Sequence, residues 1–384
     1  MILLLRAGLV ASDREAALAT VHQVARAHGA VLRDIPAGHT PHPQRALEVV
    51  LEASEDPKAV KVALQAIPVV ETLLTSEQPY WEVARRGRSR RHLQLGPACF
   101  GRQSLAAIAG PCSVESPEQL IPLAKAVAAA GATALRGGAF KPRTSPYAFQ
   151  GLGQPGLELL AEARRQTGLP IVTEVLDTRD VELVAEHADM LQIGSRNMMN
   201  YALLSAAGRA GKPVLLKRGM SATLTEFLLA AEYVATAGCP DILLCERGLR
   251  HFDPAVRNLL DLSAVPALQA QTHLPVVVDP SHGTGRHDLV APMMAAAAAA
   301  GADGLMVEVH PQPRQAWSDA GQALDPKAFG QALHQVEAVL AAGGRRLARL
   351  PASKATPSEV TEGAAQTQVS ESGDGSQDRA ELAC

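Results

Sequence analysis

Residues 275–287 read PVVVDPSHGTGRH, a β-branched run followed by a polar turn with His282 and two glycines. Val276 to Val278 reads as a buried strand. Functional side chains directly after a strand are how a (β/α)8 barrel presents chemistry at its C-terminal rim. The pattern recurs on both sides of this stretch. IAGPC ends at Cys112, ALRGG carries Arg136, IVTEV carries Glu174 and LQIGSR ends at Arg196. LLKRG carries Lys217, LLCERG reaches Arg247, and LMVEVH carries Glu308. Together these make eight strand-like runs, each followed by a residue that chemistry can use. The fold class predicted is α/β, a TIM barrel, and the chain reads as an enzyme.

A barrel takes about 250 residues, so a chain of 384 leaves room for one smaller domain. Hydrophobic residues are 47% of the chain but aromatics only 3%, so Ala, Leu and Val must fill the core. A net charge of −3 predicts no general affinity for nucleic acid or an anionic membrane. Five cysteines (Cys99, Cys112, Cys239, Cys245, Cys384) are an odd number without framework spacing, which points to a reducing compartment. The opening MILLLRAGLV is broken by Arg6 and too short for a signal peptide. The run MMAAAAAA is too short to span a bilayer and reads as a barrel helix packed through small side chains. A soluble, cytoplasmic protein is expected.

Residues 1–80 read as a separate domain. Ile2 to Leu5 is a strand, and Asp13 is placed to cap a helix running to Ala27. Ala30 to Ile35, Ala46 to Leu51, a helix near Pro57 to Gln65, and Val69 to Leu74 follow, with a His/Pro-rich turn between the first two. That order, βαββαβ, is ferredoxin-like. Residues 81–100 are expected to be a linker, the EVARRGRSRRH stretch at 82–92 being solvated. The barrel is expected over 101–347. From 348 to 384 the composition turns to small polar and acidic residues, and this tail should be disordered.

Cys112, His282, Glu308 and Asp319 are the residue types of a divalent transition-metal site, and a closed barrel brings their loops to one rim. A single cysteine is usually a small buried hydrophobe, but four such groups on one rim favour a metal. A thiolate with an imidazole and two carboxylates suits Mn, Fe, Co or Zn better than Mg or Ca. Mixed ligands suggest a catalytic ion. Arg136, Lys141, Arg143, Arg196, Lys217 and Arg247 fall at or just beyond strand ends. Their guanidinium forks and ammonium groups match phosphate and carboxylate, and six of them point to two anionic substrates or one with several charges. Salt bridges should occupy one or two. Glu174, among these cations, should stay ionised; it could orient a water or balance charge. Gly137, Gly138, Gly151 and Gly153 would let backbone approach a ligand.

These residues carry a family resemblance. GPCSVES at 110–116, LRGGAFKPRTSPYAFQGLG at 135–153, QIGSRN at 192–197, LLKRGM at 215–220, CERGLRHF at 245–252, DPSHGTGRHDL at 279–289 and EVHPQP at 308–313 resemble the 3-deoxy-D-arabino-heptulosonate 7-phosphate (DAHP) synthase family. The likeness runs in order over residues 100–345. A ferredoxin-like domain ahead of the barrel is similar to the short microbial subfamily, in which it carries feedback control. The resemblance implies condensation of phosphoenolpyruvate with D-erythrose 4-phosphate and water, the first step of the shikimate pathway. It implies that Arg196, Lys217 and Arg247 hold the phosphate of phosphoenolpyruvate, with Arg136 and Lys141 near its carboxylate. Arg143, Thr144 and Ser145 then meet the erythrose 4-phosphate phosphate, and Cys112, His282, Glu308 and Asp319 hold the metal. Lys141, Lys217 and Glu174 are the catalytic candidates, the last two for positioning water. An aromatic amino-acid effector, tyrosine or phenylalanine, and a homo-oligomer are implied partners; the effector is expected to swing residues 1–80 across the barrel mouth.

Three other readings compete. The sister synthase that uses arabinose 5-phosphate shares the barrel and the anion cluster, but its family carries KANRS where this chain has KPRTS at 141–145. A non-catalytic sugar-phosphate sensor should have lost ligands, and none of the ten metal and cation candidates is missing. An interaction protein acting through its acidic tail leaves the rim residues unexplained.

Overall fold

A computed structural model describes residues 1–35, 45–51 and 56–350. The His/Pro-rich turn and the tail from 351 lie outside the described residues.

The N-terminal unit is built from β1 (Ile2–Leu5), α1 (Ala11–Ala27), β2 (Ala30–Asp34), β3 (Ala46–Leu51), α2 (Pro57–Gln65) and β4 (Val70–Leu74). Its sheet has the order β2-β3-β1-β4 with every pairing antiparallel, the ferredoxin-like arrangement expected. Side-chain alternation divides β1: Leu3 and Leu5 pack with Val21, Val60 and Leu64 of the helices, while Leu4 turns to the other face against Trp81. Asp13 is not the cap of α1. Val10 holds that position, and Asp13 lies in the first turn, where its charge faces the positive end of the helix.

Residues 81–92 are not a solvated linker. The Glu232 carboxylate accepts the backbone N–H groups of Trp81, Glu82 and Val83 at 2.8, 2.9 and 3.0 Å. Arg86 stacks over the Trp81 ring at 4.0 Å, Arg90 pairs with buried Asp303, and Arg91 pairs with Asp241 at 2.8 Å. Asp241 and Asp303 both precede barrel strands, so the segment is pinned to the end of the barrel opposite its mouth. The stretch looks like a solvated run because the acidic partners of Arg90 and Arg91 are 213 and 150 residues away.

A hairpin, β5 (Leu93–Leu95) and β6 (Ala98–Phe100), then plugs the barrel floor. Phe100 is fully buried there with Leu93 and Leu95, and Gly304 leaves the space its ring occupies. The barrel strands are β7 (Ser104–Gly110), β8 (Ala134–Arg136), β9 (Ile171–Glu174), β10 (Met190–Ile193), β11 (Val214–Lys217), β12 (Ile242–Glu246), β13 (Val276–Val278) and β14 (Gly304–Glu308). All pair in parallel in sequence order, and β14 pairs with β7 to close the ring. Ala106, Ile108, Val172, Met190, Leu215, Val277 and Met306 fill the interior. The alternate residues, such as Leu135, Leu191, Leu216 and Val278, pack outward on the helices.

The helices are α3 (Pro117–Ala130), α4 (Gln154–Thr167), α5 (Val181–His187), α6 (Tyr201–Arg209), α7 (Leu224–Thr236), α8 (Ala264–Gln271), a short α9 (Pro280–Thr284), α10 (His287–Ala299) and α11 (Pro326–Ala342). Local chemistry sets their ends: Ser116 and Asp325 cap with Pro at the next position, and Thr223 and Glu226 form a capping box. The alanine run at 295–299 falls in α10, as expected. The barrel extends slightly past 347, because β15 (Arg346–Leu347) pairs with β7 and Ala348 N–H donates to Leu105. No described helix is long and apolar enough to cross a membrane.

Candidate active site

The strand C-termini open onto a cavity of about 340 Å³. Arg136, Lys141, Arg143, Arg196, Lys217 and Arg247 all line it, as do Thr144, Ser145 and Glu174. Arg136 and Lys217 are ion-paired, with Glu308 at 2.6 Å and with Asp279 respectively. For Lys141, Arg143, Arg196 and Arg247 there is no carboxylate ion-pair partner among the described residues. Arg247 is nevertheless buried, which lowers its pKa. Buried or clustered cations without carboxylate partners need an anion to offset their charge.

The four metal candidates converge. Single donor atoms of Cys112, Glu308 and Asp319 lie within 4.8 Å of one another. His282 adjoins them, its Nε2 lying 3.3 Å from Glu308 Oε1. Cys112 follows β7 and donates its thiol to Asp319 Oδ2 at 3.3 Å. Lys141 Nζ donates to Cys112 Sγ at 3.1 Å and to its carbonyl at 2.8 Å. Asp319 sits at φ 50°, a left-handed backbone that disfavours a residue with a Cβ by about 1–3 kcal/mol. Such outliers persist where surrounding structure holds them, and here Arg257 donates to its Oδ1 at 3.3 Å.

Charge follows geometry. Burial pushes the Cys112 thiol up to about 12, aided by the nearby Glu308 carboxylate. Burial also raises Glu308, but the positive charges around it, that of His282 once protonated in acid and those of Arg136 and Lys141, outweigh it and hold the carboxyl far below its usual range. Burial lowers the His282 pKa, so the imidazole is neutral at pH 7. Its Nδ1 faces Asp279 Oδ2 at 2.7 Å, which places the proton there and leaves Nε2 as an acceptor. Nε2 therefore meets an ionised Glu308 oxygen, acceptor against acceptor, beside a thiol and a second carboxylate. A divalent transition ion fits that donor set.

Several functional contacts had no assignment from sequence. Asp279, fully buried, bridges Lys217 and His282 and accepts the His282 N–H as the cap of α9. Its signal was present, as the residue that ends the VVV strand three positions before His282. Gln192 holds Glu174 at 3.0 Å, and Gly194 leaves room for that carboxylate. Gln322 donates to Glu308 at 2.6 Å, and Arg257 lines the cavity. These last partners come from separate loops and leave no local pattern. Within the glycine cluster, a Cβ at Gly138 would meet the Lys141 side chain and the Cys112 carbonyl, and one at Gly151 the Ala139 carbonyl.

Comparison with known proteins agrees with this geometry. Residues 94–342 match the family model of the DAHP synthetase I family. A phospho-2-dehydro-3-deoxyheptonate aldolase of Thermotoga maritima is 48% identical over 284 residues, covering 74% of this chain and 84% of that protein. A 2-dehydro-3-deoxyphosphooctonate aldolase of Syntrophotalea carbinolica is 35% identical, covering 64% of this chain and 95% of its own length. The crystal structure of the Thermotoga maritima DAHP synthase superposes with a TM-score of 0.71 at 41% identity, covering 90% of this chain and 98% of that one. With the barrel, the cation-lined mouth and the sequence match coinciding over the same residues, the chain belongs to the DAHP synthetase I family.

Proposed function

We propose that this chain condenses phosphoenolpyruvate with D-erythrose 4-phosphate and water to DAHP and inorganic phosphate, the entry step of the shikimate pathway. The observation that carries it is a cavity with four carboxylate-free cations beside a Cys/His/Glu/Asp donor cluster. Arg196, Lys217 and Arg247 bind the phosphate of phosphoenolpyruvate, and Arg136 and Lys141 orient its carboxylate. Arg143, with Thr144 and Ser145, binds the phosphate of the aldose. C3 of the enol phosphate attacks the aldehyde carbon, water adds at C2, and phosphate leaves by C–O cleavage. Lys217 and Glu174 hold that water, and Lys141 stays beside the reacting carbons as a fixed positive charge. Cys112, His282, Glu308 and Asp319 would hold a divalent ion (Mn, Fe, Co or Zn), which when bound supplies Lewis-acid polarisation of the aldehyde oxygen. Phosphate release from phosphoenolpyruvate with erythrose 4-phosphate, and little with arabinose 5-phosphate, is the expected result. The reverse preference assigns the chain to the eight-carbon reaction named for its phosphooctonate relatives.

Residues 1–80 carry no catalytic candidate, and we assign them to control by an aromatic amino acid, tyrosine or phenylalanine, in a homo-oligomer. Coupling of a few kcal/mol is sufficient for such control. Initial rates of the full-length chain should fall with millimolar effector. Indifference to tyrosine, phenylalanine and tryptophan would remove this assignment.

A further inference from the structure

One buried ion pair ties together the backbone on either side of the anion cavity. Lys217 and Arg247 face that cavity; Arg218 follows the first in the chain and Glu246 precedes the second. On β11 and β12, Leu215, Leu243 and Cys245 fill the barrel interior, while Leu216 and Leu244 pack outward. The same alternation turns Arg218 and Glu246 outward, between barrel wall and helices, where they are 4% and 0% exposed. Arg218 Nη1 donates to Glu246 Oε2 at 2.8 Å and to Asp261 Oδ2 at 3.0 Å. Its Nε donates to the Ala222 carbonyl at 2.9 Å, closing the loop that follows Lys217. Glu246 Oε1 accepts the Gly248 N–H at 2.6 Å, so one carboxylate brackets Arg247 from both sides. Among the described residues, every side-chain hydrogen bond of the pair thus lands on the two loops that carry the cavity's cations, or on the segment leading into α8.

A buried ion pair contributes little net stability compared with an apolar pair of similar shape, because desolvation offsets the attraction. What it supplies here is direction. We propose that Arg218 and Glu246 are positioning residues that set the spacing of Lys217 and Arg247 as one anion-binding unit. This rests on the cavity being the phosphoenolpyruvate site.

The test is steady-state kinetics on the full-length, metal-replete protein, with inorganic phosphate as a competing probe. Glu246→Gln keeps the shape and removes the charge. It should raise KM for phosphoenolpyruvate and Ki for phosphate together by about 10-fold, the size of one disturbed charge-assisted hydrogen bond. KM for erythrose 4-phosphate and kcat should change by less than about 2-fold. A lowered Tm with the KM for phosphoenolpyruvate and the Ki for phosphate both unmoved would overturn the proposal, since only packing would then be at stake. In an Arg247→Ala background Glu246→Gln should add almost nothing to the phosphate Ki, whereas full additivity would refute action through Arg247. If Arg247→Ala alone leaves the phosphate Ki unchanged, the cavity assignment itself fails, and the proposal with it. Should Glu246→Gln not fold, Glu246→Asp keeps the charge one methylene short, and the same paired rise is required of it.

Discussion

Asp279→Asn is the most revealing single change in the barrel mouth. The carboxylate is fully buried and accepts from Lys217 Nζ, from His282 Nδ1 at 2.7 Å and from the His282 backbone at 2.9 Å. An amide of the same shape loses the charge and turns a donor toward one of those donors. Lys217, 3% exposed, is left as a buried cation without its counter-charge. Removing one partner of a buried pair costs about 3–5 kcal/mol, or roughly 6–20 °C in the barrel's Tm at about 2–4 °C per kcal/mol. The sign with pH follows from the same contacts. Burial raises the Asp279 pKa, but the charge His282 gains in acid and the Lys217 charge outweigh it and hold the folded value well below the ordinary range. A depressed folded pKa means the contribution is complete at neutral pH and is lost as pH falls below the unfolded carboxylate value of about 3.9. Urea unfolding across pH should therefore show a large wild-type advantage at pH 7 that shrinks in acid. The double variant Lys217→Met/Asp279→Leu, which removes both charges, should recover much of the loss. A variant within about 1 kcal/mol of wild type at pH 7 lies below the range for a broken buried pair, and it or a gap that persists in acid would refute the reasoning.

Three further outcomes are expected. Cys112→Ser exchanges a soft donor for a hard one, so bound transition metal measured by elemental analysis should fall together with activity while the far-UV spectrum is kept; full metal content and activity would exclude the cluster as the ion site. Arg143→Ala should raise KM for erythrose 4-phosphate and Arg247→Ala that for phosphoenolpyruvate, each by about 10-fold or more for a lost charged hydrogen bond; equal effects on both substrates would undo the division of the cavity. Glu232→Ala leaves three backbone N–H groups at residues 81–83 without their acceptor, at about 1–3 kcal/mol for each that stays unsatisfied. Trypsin should then cut the arginine-rich segment several-fold faster, and unchanged cleavage kinetics would show that Glu232 is not the latch.

The barrel was legible because each strand repeats one physical signal: a short apolar run must be buried on both faces, and the polar residue that ends it emerges at the rim. Cys112, Arg136, Glu174, Lys217 and Glu308 all stand at or beside such ends, so their convergence followed once the ring closed. Residues 81–92 were misread for the complementary reason. Five arginines in one stretch look solvated unless Asp303 and Asp241 are known to pair with two of them and Glu232 to hold the backbone at 81–83, and sequence separation hides that.

What the sequence by itself determined was which residue types reach the mouth, because alternation along a strand and the turn after it are local properties. What only the tertiary structure decided was how those charges are shared. Two of the six cations are occupied by Glu308 and Asp279, and the other four face the cavity without a carboxylate partner among the described residues. His282 presents Nε2 because Asp279 takes Nδ1, and Asp319 holds a left-handed backbone beside Arg257 from a different loop. Electrostatic pairing in a buried site depends on distances of a few ångströms between segments as much as 207 residues apart, and no local pattern encodes those distances.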